Sequence, residues 1–161
     1  MKRRLMPVLL MTLLALAVPR VAAADATAFL GLGTSPASRS AKGFAIGAGL
    51  LIVGFEFEYS STAHDLDAGA PSLRTGSVNG LLQTPFEIAR TQFYLTIGGG
   101  IFREVLDTAA TTNVAVNTGG GAKISLFGPV RLRLDYRVFK LNGSPLYSRP
   151  QRFYVGLNLK F

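Results

Sequence analysis

The final ten residues, RFYVGLNLKF (152–161), sort cleanly into two faces: Phe153, Val155, Leu157, Leu159 and Phe161 on one, Arg152, Tyr154, Gly156, Asn158 and Lys160 on the other. A strict period of two is the signature of a β-strand with one apolar and one polar side. VRLRLDYRV (130–138) divides the same way, with Val130, Leu132, Leu134, Tyr136 and Val138 opposite the charged set Arg131, Arg133, Asp135 and Arg137. So does VGFEFEYS (53–60), where Val53, Phe55, Phe57 and Tyr59 oppose Gly54, Glu56, Glu58 and Ser60. A helical period fits none of the three.

Weaker alternation predicts five more strands, over residues 27–33, 43–51, 73–83, 92–102 and 114–126. In 43–51 Phe44, Ile46, Ala48 and Leu50 share a face; in 92–102 Phe93, Leu95, Ile97 and Ile101 oppose Tyr94, Thr96 and Phe102; in 114–126 Val114, Val116, Ala122, Ile124 and Leu126 oppose Asn117, Lys123 and Ser125. The faces of 73–83 (LRTGSVNGLLQ) stay unassigned. The connections alternate in length. Residues 34–42, 61–72, 103–113 and 141–151 are long and polar, whereas 51–52, 84–91 with Pro85, and 127–129 (FGP) are tight or marked by Pro and Gly. The expected fold class is all-β: an eight-stranded antiparallel up-and-down barrel with one short rim and one long rim, and both chain ends on the short rim.

Residues 1–24 follow a different plan: Lys2, Arg3 and Arg4, then an apolar run from Leu5 to Val18, then Ala22, Ala23 and Ala24 ahead of Asp25. This is the layout of a cleaved signal peptide, with the cut expected after Ala24 and the barrel domain spanning 25–161. The assignment changes the charge. The whole chain carries 17 basic and 9 acidic residues, but Lys2, Arg3, Arg4 and Arg20 leave with the leader, so 13 basic residues face the same 9 acidic ones. That is too little clustered basicity to suggest nucleic-acid binding. With no Cys, the exported chain has no disulfide framework, no thiolate metal site and no thiol nucleophile. The longest uncharged apolar stretch after the leader, 43–55, is too short and Gly-rich to span a bilayer as a helix. Any crossing must be made by strands.

Alternation alone does not say which face meets solvent. Export, unequal rims and strands of nine to eleven residues suit a membrane barrel, whose apolar band is about 25 Å tall. Phe44, Tyr59, Phe93, Phe153 and Phe161 add aromatics near strand ends, where a membrane-interface girdle belongs. The terminal YVGLNLKF, the arginine-bearing RLRLDYRVF before it, and TGSVNGLLQTP leading into FYLTIGGGIF resemble the small eight-stranded outer-membrane barrels of Gram-negative bacteria, the OmpA membrane domain and OmpX type, over the whole mature chain. The resemblance implies an outer-membrane location. It also implies that the final aromatic strand, with Tyr154, Leu157, Leu159 and Phe161, is read by the barrel-assembly machinery.

A closed eight-stranded barrel has room inside only for side chains. The inward candidates are Glu56, Glu58, Tyr94, Asn117, Lys123, Arg131, Arg133, Asp135, Arg137, Tyr154 and Asn158. Buried charges must pair, so Glu56, Glu58 and Asp135 are expected to pair with several of Lys123, Arg131, Arg133 and Arg137, filling the lumen against solute flow. The triplets Gly98–Gly100 and Gly119–Gly121 open no helix, which argues against a phosphate loop. With the intervening loop centred near residue 109, Gly99 is expected opposite Gly120, a patch of close approach.

For chemistry, His64 is the only histidine and stands beside Asp65, with Ser60 and Ser61 nearby; parts of a triad normally come from separate elements, so an exposed loop histidine is expected instead. Asp65 and Asp67 read as solvated loop residues. No catalytic, metal or cofactor residues are expected. The anticipated partners are outer-membrane lipid and lipopolysaccharide, contacted with other surfaces by the loops at 61–72, 103–113 and 141–151, and the assembly machinery; a monomer is expected. Two alternatives remain open at this stage: a barrel enzyme acting on outer-membrane lipid, and a soluble periplasmic barrel that binds an apolar ligand.

Overall fold

The alternating segments join into one sheet that closes on itself. The computed structural model describes residues 23–161, in which the strands are β1 (Ala23–Gly33), β2 (Arg39–Leu50), β3 (Val53–Thr62), β4 (Ser72–Gln83), β5 (Thr91–Leu106), β6 (Ala109–Phe127), β7 (Val130–Leu141) and β8 (Gln151–Lys160). Each pairs antiparallel with its sequence neighbours, and β8 returns to β1 with Asp25 opposite Lys160 and Gly33 opposite Arg152. Closure satisfies the backbone of every strand and leaves no edge for another chain to extend.

The predicted leader falls outside the described residues except for Ala23 and Ala24. These two open β1, and the Ala24 N–H donates to the Phe161 carbonyl at 2.8 Å. The strand therefore begins four residues earlier than the alternation in TAFLGLG suggested, because its first four residues are three alanines around the single Asp25, too little contrast to mark two faces.

All eight predicted strands are present, and the structure corrects three details. Residues 103–113 are not a long polar loop: β5 and β6 continue as a hairpin to a two-residue turn at Asp107 and Thr108, with Leu106 opposite Ala109 and Arg103 opposite Thr112. Polar residues standing outside the apolar band pair as readily as apolar ones, so hydrophobicity fades there while the ladder persists. The turn lies nearer the start of the segment than residue 109, and this moves the glycine register. Gly99 faces Val116 and Gly120 faces Leu95, rather than each other. The first and last long connections also shrink, because Arg39 already belongs to β2 and Leu141 to β7.

Burial alternates along β3, β4, β7 and β8 and through parts of the other strands, with apolar side chains on the outside. In β3 Phe55 is 67% exposed while Glu58 is 0% exposed; between them lie Glu56, buried, and Phe57, exposed. Leu30, Val78, Leu95, Ile97, Ile101 and Leu157 belong to the outer set. In water each would lose the stabilisation of burial, roughly 1.5–3 kcal/mol per large side chain. The wall thus has the inverse polarity of a water-soluble barrel.

Candidate functional site

The pleat sends alternate residues of β3, β7 and β8 inward, and these three strands carry most of the lumen charge. Glu56, Glu58, Lys123, Arg131, Arg133, Asp135 and Arg137 are all buried, as are Tyr94, Asn117, Tyr154 and Asn158. Arg137 is the hub. Its guanidinium lies 2.8 Å from Glu56 Oε1, 3.0 Å from Glu58 Oε2 and 3.1 Å from Asp135 Oδ1. Arg133 forms an ion pair with Glu56, reaches Asp135 at 3.0 Å and donates through Nε to the Tyr94 hydroxyl at 2.8 Å. Tyr94 in turn hydrogen-bonds to Asp135.

Two positively charged residues from the predicted set go elsewhere. Lys123 pairs with Asp25, and Arg131 reaches the same carboxylate at 3.2 Å while donating to Asn158 Oδ1 at 2.8 Å. Asp25 escaped the sequence reading because it lies in the part of β1 without visible alternation. Arg152 escaped too, although it holds a polar position of β8: it pairs with Glu58, bonds the Ser60 hydroxyl, and lies 4.8 Å from the Phe139 ring and 5.5 Å from that of Phe29. Three guanidiniums, Arg133, Arg137 and Arg152, thus meet three carboxylates, Glu56, Glu58 and Asp135, with every one of the six side chains nearly inaccessible. Matched charge in this number lets the desolvated ions offset one another.

Close approach of the strands shapes the room around this network. A Cβ on Gly121 would stand 2.5 Å from the Tyr94 hydroxyl and 2.8 Å from Cζ of the same ring, so the bare backbone of β6 is what lets Tyr94 lie across to Arg133 and Asp135. The same β6 glycine run that resembled a phosphate loop is part of the packing of the ion network.

The two ends of the lumen differ. Toward the short rim a cavity of about 200 Å³, lined by Asp25, Glu56, Gln83, Gln92, Lys123 and Arg131, reaches inward to the network. Toward the long rim the lumen turns apolar, with Leu73, Phe102, Ala115, Phe139 and Leu141 packed together above the charges. Phe102 stands on the inward face that the alternation assigns to residues 92–102, whereas Leu73 lies in β4, whose faces the alternation leaves unassigned, and Phe139 and Leu141 lie beyond the alternating stretch 130–138 of β7. Above this plug, Arg39 donates to the carbonyls of Ser35 at 3.1 Å and Pro71, and Glu104 accepts from the Leu146 N–H at 2.9 Å. These bonds tie the connections over the mouth.

His64 and Asp67 are exposed and Asp65 is half-buried, spending Oδ1 on the Ala68 N–H at 3.1 Å. Ser60 faces the lumen, bonded to Thr75 at 2.8 Å, and Ser61 stands on the opposite face of β3. No hydrogen bond joins His64 to either serine among the described residues. The described residues also contain no group of three or more His, Asp or Glu placed to hold a metal ion.

The sequence matches no protein-family model and no curated protein. Solved structures with a similar fold are numerous. The barrel is similar to Neisserial surface protein A, with a TM-score of 0.64 at 15% identity over 87% of this chain and 96% of that one. It is similar to the N-terminal β-barrel domain of Pseudomonas aeruginosa OprF, with a TM-score of 0.62 at 14% identity over 86% of this chain and 97% of the other. The outer-membrane enzyme PagL shares the fold at a TM-score of 0.56 and 11% identity, over 84% of this chain and 98% of its own. At these identities what is shared is the architecture: the chain has the closed eight-stranded antiparallel barrel fold found in small outer-membrane proteins.

Proposed function

We propose that this protein is an integral outer-membrane barrel, exported by a cleaved signal peptide, monomeric, closed to solute flow, and with a structural or surface-interaction role. The observation that carries the reading is the inverted polarity of the wall. An outer surface rich in Leu, Ile, Val and Phe around a lumen of paired ions is stable where hydrocarbon surrounds it and is unfavourable in water. The stacked ions of β3, β7 and β8 and the apolar plug above them oppose a solute channel, and the loops, pinned by Arg39 and Glu104, are the parts free to meet lipopolysaccharide or other surfaces. Phe161 and the outward Leu157 and Leu159 form the aromatic-ended strand proposed as the assembly signal, with Tyr154 on its inner face.

Fractionation of cells expressing the full chain is the direct test. Recovery in the carbonate-resistant outer-membrane fraction is expected; recovery in the aqueous periplasmic fraction would favour the soluble, ligand-binding barrel. In planar bilayers the purified protein should show no sustained conductance above background, and stable porin-sized steps would refute the closed lumen. A barrel enzyme acting on outer-membrane lipid is the second reading, and the fold this chain shares with the outer-membrane enzyme PagL favours an enzyme without naming its substrate. The engagement of Ser60 with Thr75 and Arg152 weighs against it, and a deacylation activity lost on His64→Ala would establish it.

A further inference from the structure

On the β2–β5 side of the outer wall three positively charged side chains break the apolar pattern near the long rim. Across the ladders Leu30 of β1 faces Lys42 of β2, Lys42 faces Ser61 of β3, Ser61 faces Arg74 of β4, and Arg74 faces Arg103 of β5. Lys42, Arg74 and Arg103 are all exposed and point outward. None of the three forms an ion pair among the described residues. Arg74 and Arg103 stand directly opposite each other, an arrangement that destabilises a sheet when nothing lies between the charges. An anion bound against the wall removes that penalty.

The row one pleat repeat further from the rim is apolar and uneven. Leu157, Ala28, Phe44, Tyr59, Gly76 and Ile101 follow one another across the strands. Ala28 leaves a notch between Leu157 and Phe44, and an open groove of about 970 Å³ runs here with Lys42 and Arg74 on its rim side. Gly76 makes a second notch below Arg74 and Arg103, where an added Cβ would meet nothing. Cations toward the rim and vacated apolar space beneath them match a molecule with an anionic head and acyl tails, oriented as in a leaflet.

Strand spacing of about 4.8 Å puts Lys42 and Arg103 roughly 14 Å apart along the sheet. That span suits a headgroup with two separated phosphates better than one with a single phosphate. A second copy of this chain is disfavoured, since a two-fold contact through this patch would bring like charges together. We infer that Lys42, Arg74 and Arg103, with the notches at Ala28 and Gly76, form a binding site on the outer wall for lipid A carrying two phosphates. The inference rests on the membrane location proposed above.

The test uses the full-length folded protein in phosphatidylcholine vesicles containing bisphosphorylated lipid A, phosphate-free lipid A, or phosphatidylglycerol, with bound lipid measured by native mass spectrometry after extraction. The wild type should retain bisphosphorylated lipid A over the other two. Lys42→Gln/Arg74→Gln/Arg103→Gln should weaken that retention by about a hundredfold, from three interfacial cations, while Lys42→Arg/Arg74→Lys/Arg103→Lys and the outward Lys140→Gln keep it. Equal retention by wild type and the triple Gln variant, or equal binding of phosphate-free lipid A, overturns the site; equal binding of phosphatidylglycerol overturns its assignment to lipid A. Vesicle insertion and heat-modifiable gel mobility are recorded for every variant. Failure of the wild type to insert refutes the membrane reading itself, whereas insertion without selective lipid retention refutes this inference alone.

Discussion

Replacing Arg137 by methionine keeps the length and apolar stem of the side chain and removes the charge shared by Glu56, Glu58 and Asp135. The three carboxylates then face two guanidiniums, Arg133 and Arg152, within a region of near-zero accessibility. Glu56 keeps Arg133, Glu58 keeps Arg152 and the Tyr154 hydroxyl at 3.3 Å, and Asp135 keeps Arg133 at 3.0 Å, so no carboxylate is stripped completely. The site as a whole is left with one uncompensated negative charge. Breaking a buried ion pair by removing one partner costs about 3–5 kcal/mol. The upper half of that range is expected, since the cavity at the short rim reaches Glu56 but is not lined by Glu58 or Asp135. Guanidinium unfolding of the refolded protein in detergent micelles, followed by far-UV circular dichroism because the chain has no Trp, measures the loss. Removing the surplus charge with Glu58→Gln in the Arg137→Met background should restore at least about 1 kcal/mol, the scale of coupling between contacting residues. A loss below about 1 kcal/mol for Arg137→Met, with no recovery in the double variant, would refute the argument that these ions are desolvated and mutually compensated.

Further outcomes follow from the same geometry. Ile97→Arg places a cation on the outer wall at a position 71% exposed; it should lower folding stability in bilayers by about 2–4 kcal/mol if Ile97 lies near the midplane, and a neutral result in a vesicle-refolding titration would place that face outside hydrocarbon. Gly121→Val would press its Cβ against the Leu134 carbonyl across the β6–β7 ladder as well as against Tyr94, and should cost about 1–3 kcal/mol or more by overpacking, read from the same unfolding curves; an unchanged midpoint would show that both the ladder and the ring give way freely. Deleting Phe161 should reduce outer-membrane assembly in cells while leaving refolding into detergent nearly intact, scored by heat-modifiable mobility, and equal assembly would remove the proposed terminal signal. A spin label at Leu134 should report hydrocarbon and one at Arg133 a protein interior closed to lipid; the reverse result would turn the barrel inside out.

Much of the architecture was legible in the chain because alternation is a local property of a pleated strand. The side on which Arg133 or Phe57 points follows from its parity within a segment, so the strands and most of the inward set emerged without knowledge of the pairing, whereas the contrast between the rims came out weaker than the sequence suggested, with a two-residue turn at Asp107 and Thr108 on the long side. Where that contrast is missing, as in the Gly- and Ala-rich start of β1 or in β4, neither faces nor ends were readable, and Asp25, Leu73 and Asn79 went unassigned. The extension of β5 and β6 past the apolar band was equally silent, since its backbone ladder does not depend on hydrophobicity.

Which charge meets which was settled only by closure. Asp25 and Lys123 are 98 residues apart, and Arg133 and Glu56 are 77 apart; what joins them is the stagger accumulated strand by strand around the barrel until β8 meets β1. The amino-acid order thus determined the sheet, its two faces and the sign of what each presents. The partners within the lumen, the plug beneath the loops and the row of cations brought together from β2, β4 and β5 were decided by the tertiary structure, because register is a relation between strands that no single strand contains.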